Sequence, residues 1–242
     1  MKTHLFIDAD LVAFRAAAES SKRKVSEASI EADHQAYFNW LTRTVPADKI
    51  TLCFTGKTNF RKELNRKYKA GRVTSHKPSL LGYSQGVLKE MYPSIQVERL
   101  EADDILGINC TEPQDDEHRI LVSYDKDLLT VPVTIYNTLN NEWSNLSADA
   151  AERLFWTQCI TGDATDGYYG LPGVGAVGAK PLVDELMAQP KWNRVNTLIQ
   201  MYAEYYLPAD YALRQCQMAY ILRHGDVDEA GRIRLFGTED YF

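Results

Sequence analysis

Nine acidic residues fall into four short clusters whose spacing suits the binding of metal ions. They are Asp8 and Asp10, then Glu101, Asp103 and Asp104, then Asp125 and Asp127, and last Asp163 and Asp166. Carboxylates brought together repel and raise each other's pKa unless cations neutralise their charge. Hard oxygen ligands in this number indicate Mg²⁺ or Mn²⁺. Two such ions would clamp the attacking and leaving oxygens of a phosphodiester hydrolysis.

A single acid of this kind is more often a solvated surface charge or a helix N-cap than a metal ligand. Asp125 in particular suits a cap. The recurrence of the clusters, several with D-x-D or E-x-D spacing, weakens that explanation. The same spacing also occurs in phosphatases, kinases and ribonucleases of similar fold, so the carboxylates indicate metal and leave the substrate open.

The elements that must position these acids alternate between strand and helix. Short buried strands are predicted at 4–7, 50–54, 95–97, 120–123 and 133–136. Helical patterns are predicted near 30–44, 79–91, 102–111 and 147–160. This alternation predicts an α/β fold with a mostly parallel central sheet flanked by helices, in which sites form at the carboxyl ends of the strands. Three of the four acidic clusters follow such strand ends.

Beyond about residue 156 the strand signal fades, and helical patterns remain at 176–187, 191–205 and 209–223. A glycine-rich loop, 170–180, opens the first of them. Its L-P-G-V-G-x-x-G-A-K sequence is typical of a helix-hairpin-helix turn, whose backbone amides hold a DNA phosphate at a helix N-terminus. A plain helix-capping loop is the alternative. We therefore expect an α/β part at 1–155 and a helical part at 156–242.

The basic residues are concentrated in one segment, although the chain carries a net charge of -6. Eight basic residues lie between Lys57 and Lys77, against one acid, Glu63. Such segregation suits a protein that binds phosphates with one element and metal ions with another. A solvated amphipathic helix is the alternative explanation of the segment.

The cysteines and the apolar runs bear on location. The four cysteines stand singly without a C-x-x-C pair, which argues against a zinc site and a disulfide framework. A run of about 18 apolar residues and a leader with a basic and then an apolar region are both lacking, so neither export nor membrane insertion is expected. The expected location is the cytoplasm, that of the host if the protein is phage-encoded.

Several motifs in this order resemble the 5′ nuclease family of flap endonucleases and 5′→3′ exonucleases. The G-D-x-x-D element at 162–166 runs directly into the glycine loop, as in the helix-three-turn-helix of that family. Further similar segments, in the family order, are 6–8, 14–15, 60–61, 68–72, 100–104 and 123–127. The resemblance covers nearly the whole chain and extends, for short exonucleases of tailed phages, to segment 217–223.

The resemblance implies a PIN- or resolvase-like fold and a role for each matching residue. It implies that the first divalent ion is held by Asp8, Glu101, Asp103 and Asp125. It implies that the second ion is held by Asp127, Asp163 and Asp166, with Asp104 as a supporting acid. The glycine loop, in which Gly173, Gly175, Gly178 and Lys180 are expected to contact duplex DNA, carries a K⁺ ion in some relatives.

The basic segment, near 57–90, corresponds to the family's helical arch. The resemblance places Lys69 and Arg72 at the scissile phosphate, with Arg15 nearby on the first helix. Tyr68 then offers its ring to a terminal base, and Arg61 is expected to contact DNA. Stacking and positive charge together suit a frayed single strand.

One position departs from the family pattern. Relatives usually carry an acid just after the second strand, where this chain has Phe54-Thr55-Gly56-Lys57. Asp10 replaces a residue that is small in relatives, and we hypothesise that it reaches the same metal from the neighbouring strand end.

The resemblance implies a 5′→3′ exodeoxyribonuclease that hydrolyses duplex DNA from 5′ ends with two Mg²⁺ or Mn²⁺ ions. Flap cleavage and RNA–DNA hybrid substrates stay open, and a monomer is expected. One alternative is a structure-specific DNA-binding protein with impaired catalysis, favoured by the missing acid and opposed by Asp163 and Asp166. The other is a PIN-type ribonuclease, which would lack the arch and the glycine loop.

Overall fold

A computed structural model describes residues 1–23, 27–71 and 77–237, which divide into two compact units. Unit 1 comprises Met1–Asn59, Ser75–Leu128 and Val133–Asn145. Unit 2 comprises Phe60–Thr74, Leu129–Pro132 and Leu146–Phe242. The chain therefore leaves unit 1 and returns to it twice before it completes unit 2.

Unit 1 is built on a six-stranded sheet in the order β3-β2-β1-β4-β5-β6. Its strands are β1 (Lys2–Asp8), β2 (Lys49–Phe54), β3 (Ser94–Gln96), β4 (Glu117–Val122), β5 (Thr134–Asn137) and β6 (Glu142–Asn145). The first five pair in parallel, whereas β6 runs antiparallel to β5. The predicted α/β class with a mostly parallel sheet is confirmed. Strand β6 was not predicted, because its Glu-Trp-Ser-Asn sequence has no apolar alternation.

The central strand β1 brings its last residue to the edge where the candidate site lies. Leu5, Phe6 and Ile7 are buried, as expected of a parallel strand covered by helices on both faces. In the register Asp8 pairs with Cys53 of β2, and Ile7 pairs with Val122 of β4. The three strands therefore end at a common edge.

The described residues form nine α-helices. They are α1 (Ala9–Arg23), α2 (Glu27–Thr44), α3 (Phe60–Leu64), α4 (Leu81–Met91), α5 (Ala102–Thr111), α6 (Ala148–Thr161), α7 (Ala176–Ala188), α8 (Lys191–Glu204) and α9 (Ala209–Ala219). The first, second, fourth and fifth belong to unit 1 and the others to unit 2. In the described parts of the chain, every helix is too short or too polar to cross a membrane.

Unit 2 is helical, as the sequence predicts for the C-terminal region. Helix α6 begins at an N-cap, where the Ser147 hydroxyl accepts the N–H of Ala150 at 3.2 Å. It packs against α7 and α9. In the core of this unit the Tyr202 hydroxyl donates to the Cys159 carbonyl oxygen at 2.6 Å.

The two units divide the chain differently from the expected boundary at 155/156. A division there would cut helix α6, whose whole length packs within unit 2, so the change comes at Asn145 and Leu146 instead. Segment Phe60–Thr74, expected within the α/β part, also belongs to unit 2.

The described part of the basic segment is not one continuous helix. Helix α3 is only five residues long, turns follow at 66–69, and α4 begins at Leu81. Residues 72–76, which include the predicted phosphate ligand Arg72, lie outside the described residues.

Candidate active site

Asp8, the last residue of β1, lies near Asp10 and Asp125 at the carboxyl end of the sheet. We call the acids that follow strands β1, β3 and β4 in unit 1 the acidic edge. Its members are Asp8, Asp10, Glu101, Asp103, Asp104, Asp125 and Asp127, all in unit 1. Burial, together with repulsion from Asp10 and Asp125, raises the pKa of Asp8 to about 7. This happens although the Leu11 N–H and the Ser123 hydroxyl each donate to the Asp8 carboxylate at 3.2 Å.

The end of β4 is closed by a chain of hydrogen bonds that starts at Asp8. Ser123 donates its hydroxyl to Asp8 and accepts the Asp125 N–H at 3.1 Å. Asp125 Oδ1 in turn accepts the Asp127 N–H at 2.9 Å. The predicted cap role of Asp125 is therefore real, but it uses one oxygen, and Oδ2 has no hydrogen bond to the described residues.

Helix α5 starts from a capping box within the second cluster, which contains Glu101, Asp103 and Asp104. The Glu101 side chain accepts the backbone N–H of Asp104, and Asp104 Oδ2 accepts the Glu101 N–H at 3.1 Å. Asp104 is completely buried, whereas Asp103 between them is half-buried. The box fixes the backbone that carries Glu101 and Asp103.

The Asp10 carboxylate lies beside Thr55, just after β2, where relatives usually carry an acid. Its Oδ2 accepts the Thr55 N–H at 2.8 Å, and its Oδ1 accepts from Gln85 Nε2 of α4 at 3.0 Å. Thr55 Oγ1 accepts the Ala102 N–H at 3.1 Å, at the first turn of α5. Asp10 therefore connects α4, the end of β2 and the helix that carries Glu101 and Asp103.

Gly56, beside Thr55, has no room for a side chain. A Cβ there would come within 2.2 Å of the Val97 carbonyl oxygen. The backbone after β2 therefore packs against the segment after β3, and a larger residue at this position would displace it.

The donor set of the acidic edge fits a hard divalent cation. It consists of carboxylate oxygens, which Mg²⁺ and Mn²⁺ prefer, and it includes one buried carboxylate destabilised by its neighbours. Within the described residues, no three acidic, His or Cys side chains converge closely enough to hold an ion as they stand. Asp8, Asp10 and Asp125 point instead to backbone and hydroxyl donors.

The acids of unit 2 lie in a tight turn after α6. Asp163 Oδ1 accepts the N–H groups of Thr165 and Asp166 at 2.8 and 3.2 Å. Asp166 is buried, and its Oδ2 lies 3.8 Å from the Lys69 ammonium, while its carbonyl accepts the Lys69 N–H at 2.8 Å. Asp163 is therefore held by backbone donors of its own turn, whereas Asp166 has beside it the ammonium group of Lys69, from another segment of unit 2.

Two glycines hold the base of this turn together. Gly162 and Gly170 have φ angles of 67° and 63°. A Cβ on Gly162 would lie 2.3 Å from the Tyr169 carbonyl carbon, and one on Gly170 would lie 2.2 Å from the Ile160 carbonyl oxygen. Only glycine fits both the backbone conformation and the space.

Lys69 is held in a constrained conformation beside Tyr68. Its φ angle is 52°, and its ammonium group lies 5.1 Å from the centre of the Tyr68 ring. Tyr68 itself is only 4% exposed. The predicted stacking of a terminal base on Tyr68 does not agree with this burial, because the ring has little surface left on which a base could stack.

The expected contact of Arg61 with DNA must also be corrected. Arg61 is 2% exposed, and its guanidinium donates to the carbonyl oxygens of Met218 and Tyr220 at 3.2 and 2.5 Å. It lies 4.5 Å from the Phe60 ring centre. Arg61 therefore joins α3 to the C-terminal end of α9 rather than facing solvent.

The glycine loop presents a helix end to solvent. Gly173 is exposed with a φ angle of 76°, and Gly175 is the N-cap of α7 without a side-chain cap bond. Among the described residues, a Cβ on either glycine would meet no neighbouring atom within 4 Å, and a Cβ on Gly178 would make only an ordinary contact, at 3.5 Å, with Val174 Cγ1. Packing within the chain therefore does not explain Gly175 and Gly178. Lys180 is exposed on the first turns of α7.

Arg15 is exposed on α1, two turns beyond Asp8, with neither an ion pair nor a hydrogen bond to the described residues.

Three partners of the acids were not predicted from the sequence, namely Ser123, Thr55 and Gln85. Ser123 stands two residues before Asp125, a spacing that suits a local hydroxyl contact. Gln85 is 75 residues from Asp10, so no local signal could have revealed it.

These features define a resolvase-like α/β domain with an acidic edge at the carboxyl ends of its strands. The family model described as "5′-3′ exonuclease, N-terminal resolvase-like domain" matches residues 3–154. The chain therefore belongs to the 5′-3′ exonuclease family.

Curated relatives include the exodeoxyribonuclease of Enterobacteria phage T3, which is 33% identical over 151 residues, covering 58% of this chain and 49% of the relative. The exonuclease of Escherichia phage T7 is 32% identical over 152 residues, covering 59% and 49%. The matched region thus spans about half the length of these relatives.

The fold is shared with a solved structure. The 5′-exonuclease of T5 with divalent zinc ions bound superposes with a TM-score of 0.70 at 18% identity, covering 90% of this chain and 89% of that one. The predicted resolvase-like fold is therefore confirmed.

Proposed function

We propose that this protein is a divalent-metal-dependent nuclease that hydrolyses phosphodiester bonds of duplex DNA from 5′ ends. The observation that carries the proposal is the Asp8 carboxylate, which lies buried beside Asp10 and Asp125 although burial and both neighbouring acids disfavour its charged form. A protein keeps such an arrangement where a cation is to be bound. The family membership and the phage exonucleases among its relatives give the same reaction class.

In this proposal Asp8, Glu101, Asp103 and Asp125 hold the first Mg²⁺ or Mn²⁺ ion, and Ser123 orients Asp8. Asp127, Asp163 and Asp166 are assigned to the second by the resemblance alone. Bound ions would supply charge stabilisation for the attacking and leaving oxygens. Lys69 and Arg72 offset charge on the phosphate in the transition state, and Arg15 orients the substrate strand.

The exposed basic residues are assigned to the DNA backbone. They are Lys57, Lys62, Arg66, Lys67 and Lys77. The N-terminus of α7 holds a phosphate of the duplex, since Gly175 and Gly178 keep its backbone open to close approach. A K⁺ ion at this loop, cleavage of flaps and of RNA–DNA hybrids, a monomeric state and a cytoplasmic location belong to the same proposal.

The test uses duplex, flap and RNA–DNA hybrid substrates labelled at either the 5′ or the 3′ end, incubated with Mg²⁺. We expect short 5′-derived products from the wild type. Asp125→Asn should lower the single-turnover rate about a thousandfold, or about 4 kcal/mol in the barrier, while DNA binding in Ca²⁺ is retained. Substantial turnover by this variant would remove the two-metal assignment.

Variants of Asp10 distinguish whether this residue is a ligand of the first metal ion or only positions Thr55. If Asp10 is a ligand, Asp10→Asn and Asp10→Ala both raise the Mg²⁺ concentration for half-maximal activity, by about tenfold or more. If it only positions Thr55, Asp10→Asn retains an acceptor for the Thr55 N–H and activity close to that of the wild type. An Asp10→Ala variant with unchanged activity and Mg²⁺ dependence would exclude both roles.

A second candidate function is structure-specific DNA binding without cleavage. The observation that favours it is the absence of an acid at Thr55-Gly56, where Gly56 also has no space for one. In that case the wild type would bind flaps with steep salt dependence but release no product with Mg²⁺ or Mn²⁺.

A further inference from the structure

Unit 1 contains a cavity of about 610 Å³ next to the acidic edge, which we call the α1–α2 pocket. It is lined by α1, α2, the residue before Asp125 and the turn between β5 and β6. Its volume lies within the range of roughly 300–1,000 Å³ that is usual for small-molecule sites. The mechanism proposed above makes no use of it, except through Arg15 at its wall.

The pocket shares two walls with the acidic edge. Leu11, which donates its N–H to Asp8, lines the pocket one turn before Arg15. Tyr124 lines it and directly precedes Asp125. A group in the pocket would therefore be adjacent to a phosphate at the acidic edge.

The pocket offers aromatic surface. The rings of Tyr37 and Trp40 lie 5.8 Å apart at 44°, and Trp40 keeps 36% of its surface exposed. Tyr37 is fixed by an edge contact with Phe38, with ring centres 5.2 Å apart. Such surfaces stack nucleobases without regard to sequence.

The charges of the lining favour a base over a second phosphate. Arg15 is the basic residue of the wall, whereas Glu19 and Asp33 are acidic. A phosphodiester chain running through the pocket would meet both carboxylates. A single nucleotide avoids this, with its phosphate toward Arg15 and the acidic edge and its uncharged base inside.

We propose that the α1–α2 pocket binds the base of the 5′-terminal nucleotide, the one released by cleavage. This inference rests on the proposed nuclease function. It also gives the terminal base a stacking surface that the buried Tyr68 does not supply.

The experiment compares single-turnover cleavage of two duplexes that differ only at the 5′-terminal residue, a normal nucleotide in one and an abasic analogue in the other. The wild type should cleave the normal duplex about 5- to 100-fold faster, since one stacked base contributes that much. Trp40→Ala should reduce this ratio to near one.

Two further variants guard against a loss of folding. Ala16→Met fills the pocket from α1 and should lower the same ratio while leaving the aromatic residues in place. Trp143→Ala is the matched control, because Trp143 is 53% exposed and packs on Tyr136 but does not line the pocket. It should keep the wild-type ratio.

The binding of deoxyadenosine, which carries no phosphate for the acidic edge to repel, to the metal-free protein, followed by tryptophan fluorescence or ligand-observed NMR, tests the pocket without turnover. Wild type and Trp143→Ala should bind it, and Trp40→Ala and Ala16→Met should bind it much more weakly. A wild type that cleaves both duplexes equally, or pocket variants with the wild-type ratio, would overturn the inference and leave the nuclease intact. A wild type that cleaves neither duplex contradicts the nuclease instead, and deoxyadenosine binding then decides the pocket.

Discussion

In unit 1 the Asp8 carboxylate is buried beside two further acids, whereas in unit 2 the Asp166 carboxylate has the Lys69 ammonium 3.8 Å away. Among the residues that the structure describes, one backbone N–H and one hydroxyl donate hydrogen bonds to Asp8. In unit 2 Asp163 closes its own turn through two backbone N–H groups. The same residue type in similarly short spacing is thus left destabilised in one unit and satisfied in the other.

Acids that are predicted to serve the same function therefore have different electrostatic environments in the two units. At the sheet edge the parallel register forces Asp8 into a buried position, and relief of its charge must come from outside the chain. In the turn, two positive-φ glycines fold the backbone so that its own donors supply the relief. Substitutions in each unit test this difference when unfolding free energies are measured in the presence of EDTA.

The largest effect is expected from Gly162→Ala in unit 2. A Cβ there would lie 2.3 Å from the Tyr169 carbonyl carbon at a φ angle of 67°, so we expect a loss of about 4 kcal/mol in urea unfolding. Gly86→Ala on α4 is the control, because its Cβ meets no atom within 4 Å, and it should gain about 0.5–1 kcal/mol. Equal losses in both variants would show that the turn is not specially constrained.

Asp8→Asn should stabilise unit 1 in EDTA by about 3 kcal/mol at pH 8, since it removes a charge whose burial is unfavourable. The folded-state pKa of Asp8, about 7, lies above its ordinary value, so wild-type stability falls as pH rises from about 4 through 7. The difference between variant and wild type should therefore vanish near pH 4. A variant less stable than the wild type at pH 8 would contradict the comparison.

Asp166→Asn should have the opposite effect to Asp8→Asn. It should lower the unfolding free energy by about 1–2 kcal/mol at pH 7, because it removes the negative charge of a mostly buried ion pair with Lys69. The control is Asp184→Asn, whose partner Arg153 is 47% exposed and whose own side chain is 54% exposed. A surface pair of this kind should change stability by less than about 0.5 kcal/mol. Stabilisation by Asp166→Asn would make the two units alike.

The smallest effect is expected at the amino end of the same sheet, where the charges of unit 1 are compensated. The Arg119 guanidinium, helped by Lys49 and His4, lowers the pKa of Glu117 to about 2. Glu117→Gln should cost about 1 kcal/mol after allowance for solvent screening, and this loss should disappear as pH falls from about 4.5 to 2. Asp115→Asn, at an exposed position nearby, is the control and should leave the unfolding free energy nearly unchanged. A pH-independent loss would refute the ionic origin.

Sequence periodicity was sufficient for most of the fold. Helix α5 begins and ends as predicted, and five of the strands lie within a few residues of their predicted positions, because buried parallel strands and capped helices have strong local signals. The residues of strand β6 carry no strand pattern of their own. The strand depends instead on the turn before it, where Asn141 adopts a φ angle of 61°.

The candidate site was predictable as a set of residues but not as a set of contacts. The spacing identified the acids, yet whether Arg61 faces DNA or the interior depends on carbonyl groups more than 150 residues away. The charge of a residue says nothing about such partners. The same holds for Gln85 and Asp10, which meet only because α4 packs against α1.

The hydrogen bonds between Arg61 and the C-terminal end of α9 have a consequence for synthesis on the ribosome. Arg61 leaves the exit tunnel 157 residues before Met218, whose carbonyl oxygen accepts one of these bonds. At about 5–20 residues per second, about 8 to 30 seconds pass before this acceptor emerges. Helix α3 therefore cannot reach its final packing until α9 has left the tunnel, whereas the strands of unit 1 can already pair. Translation imposes an order in which unit 2 is completed last.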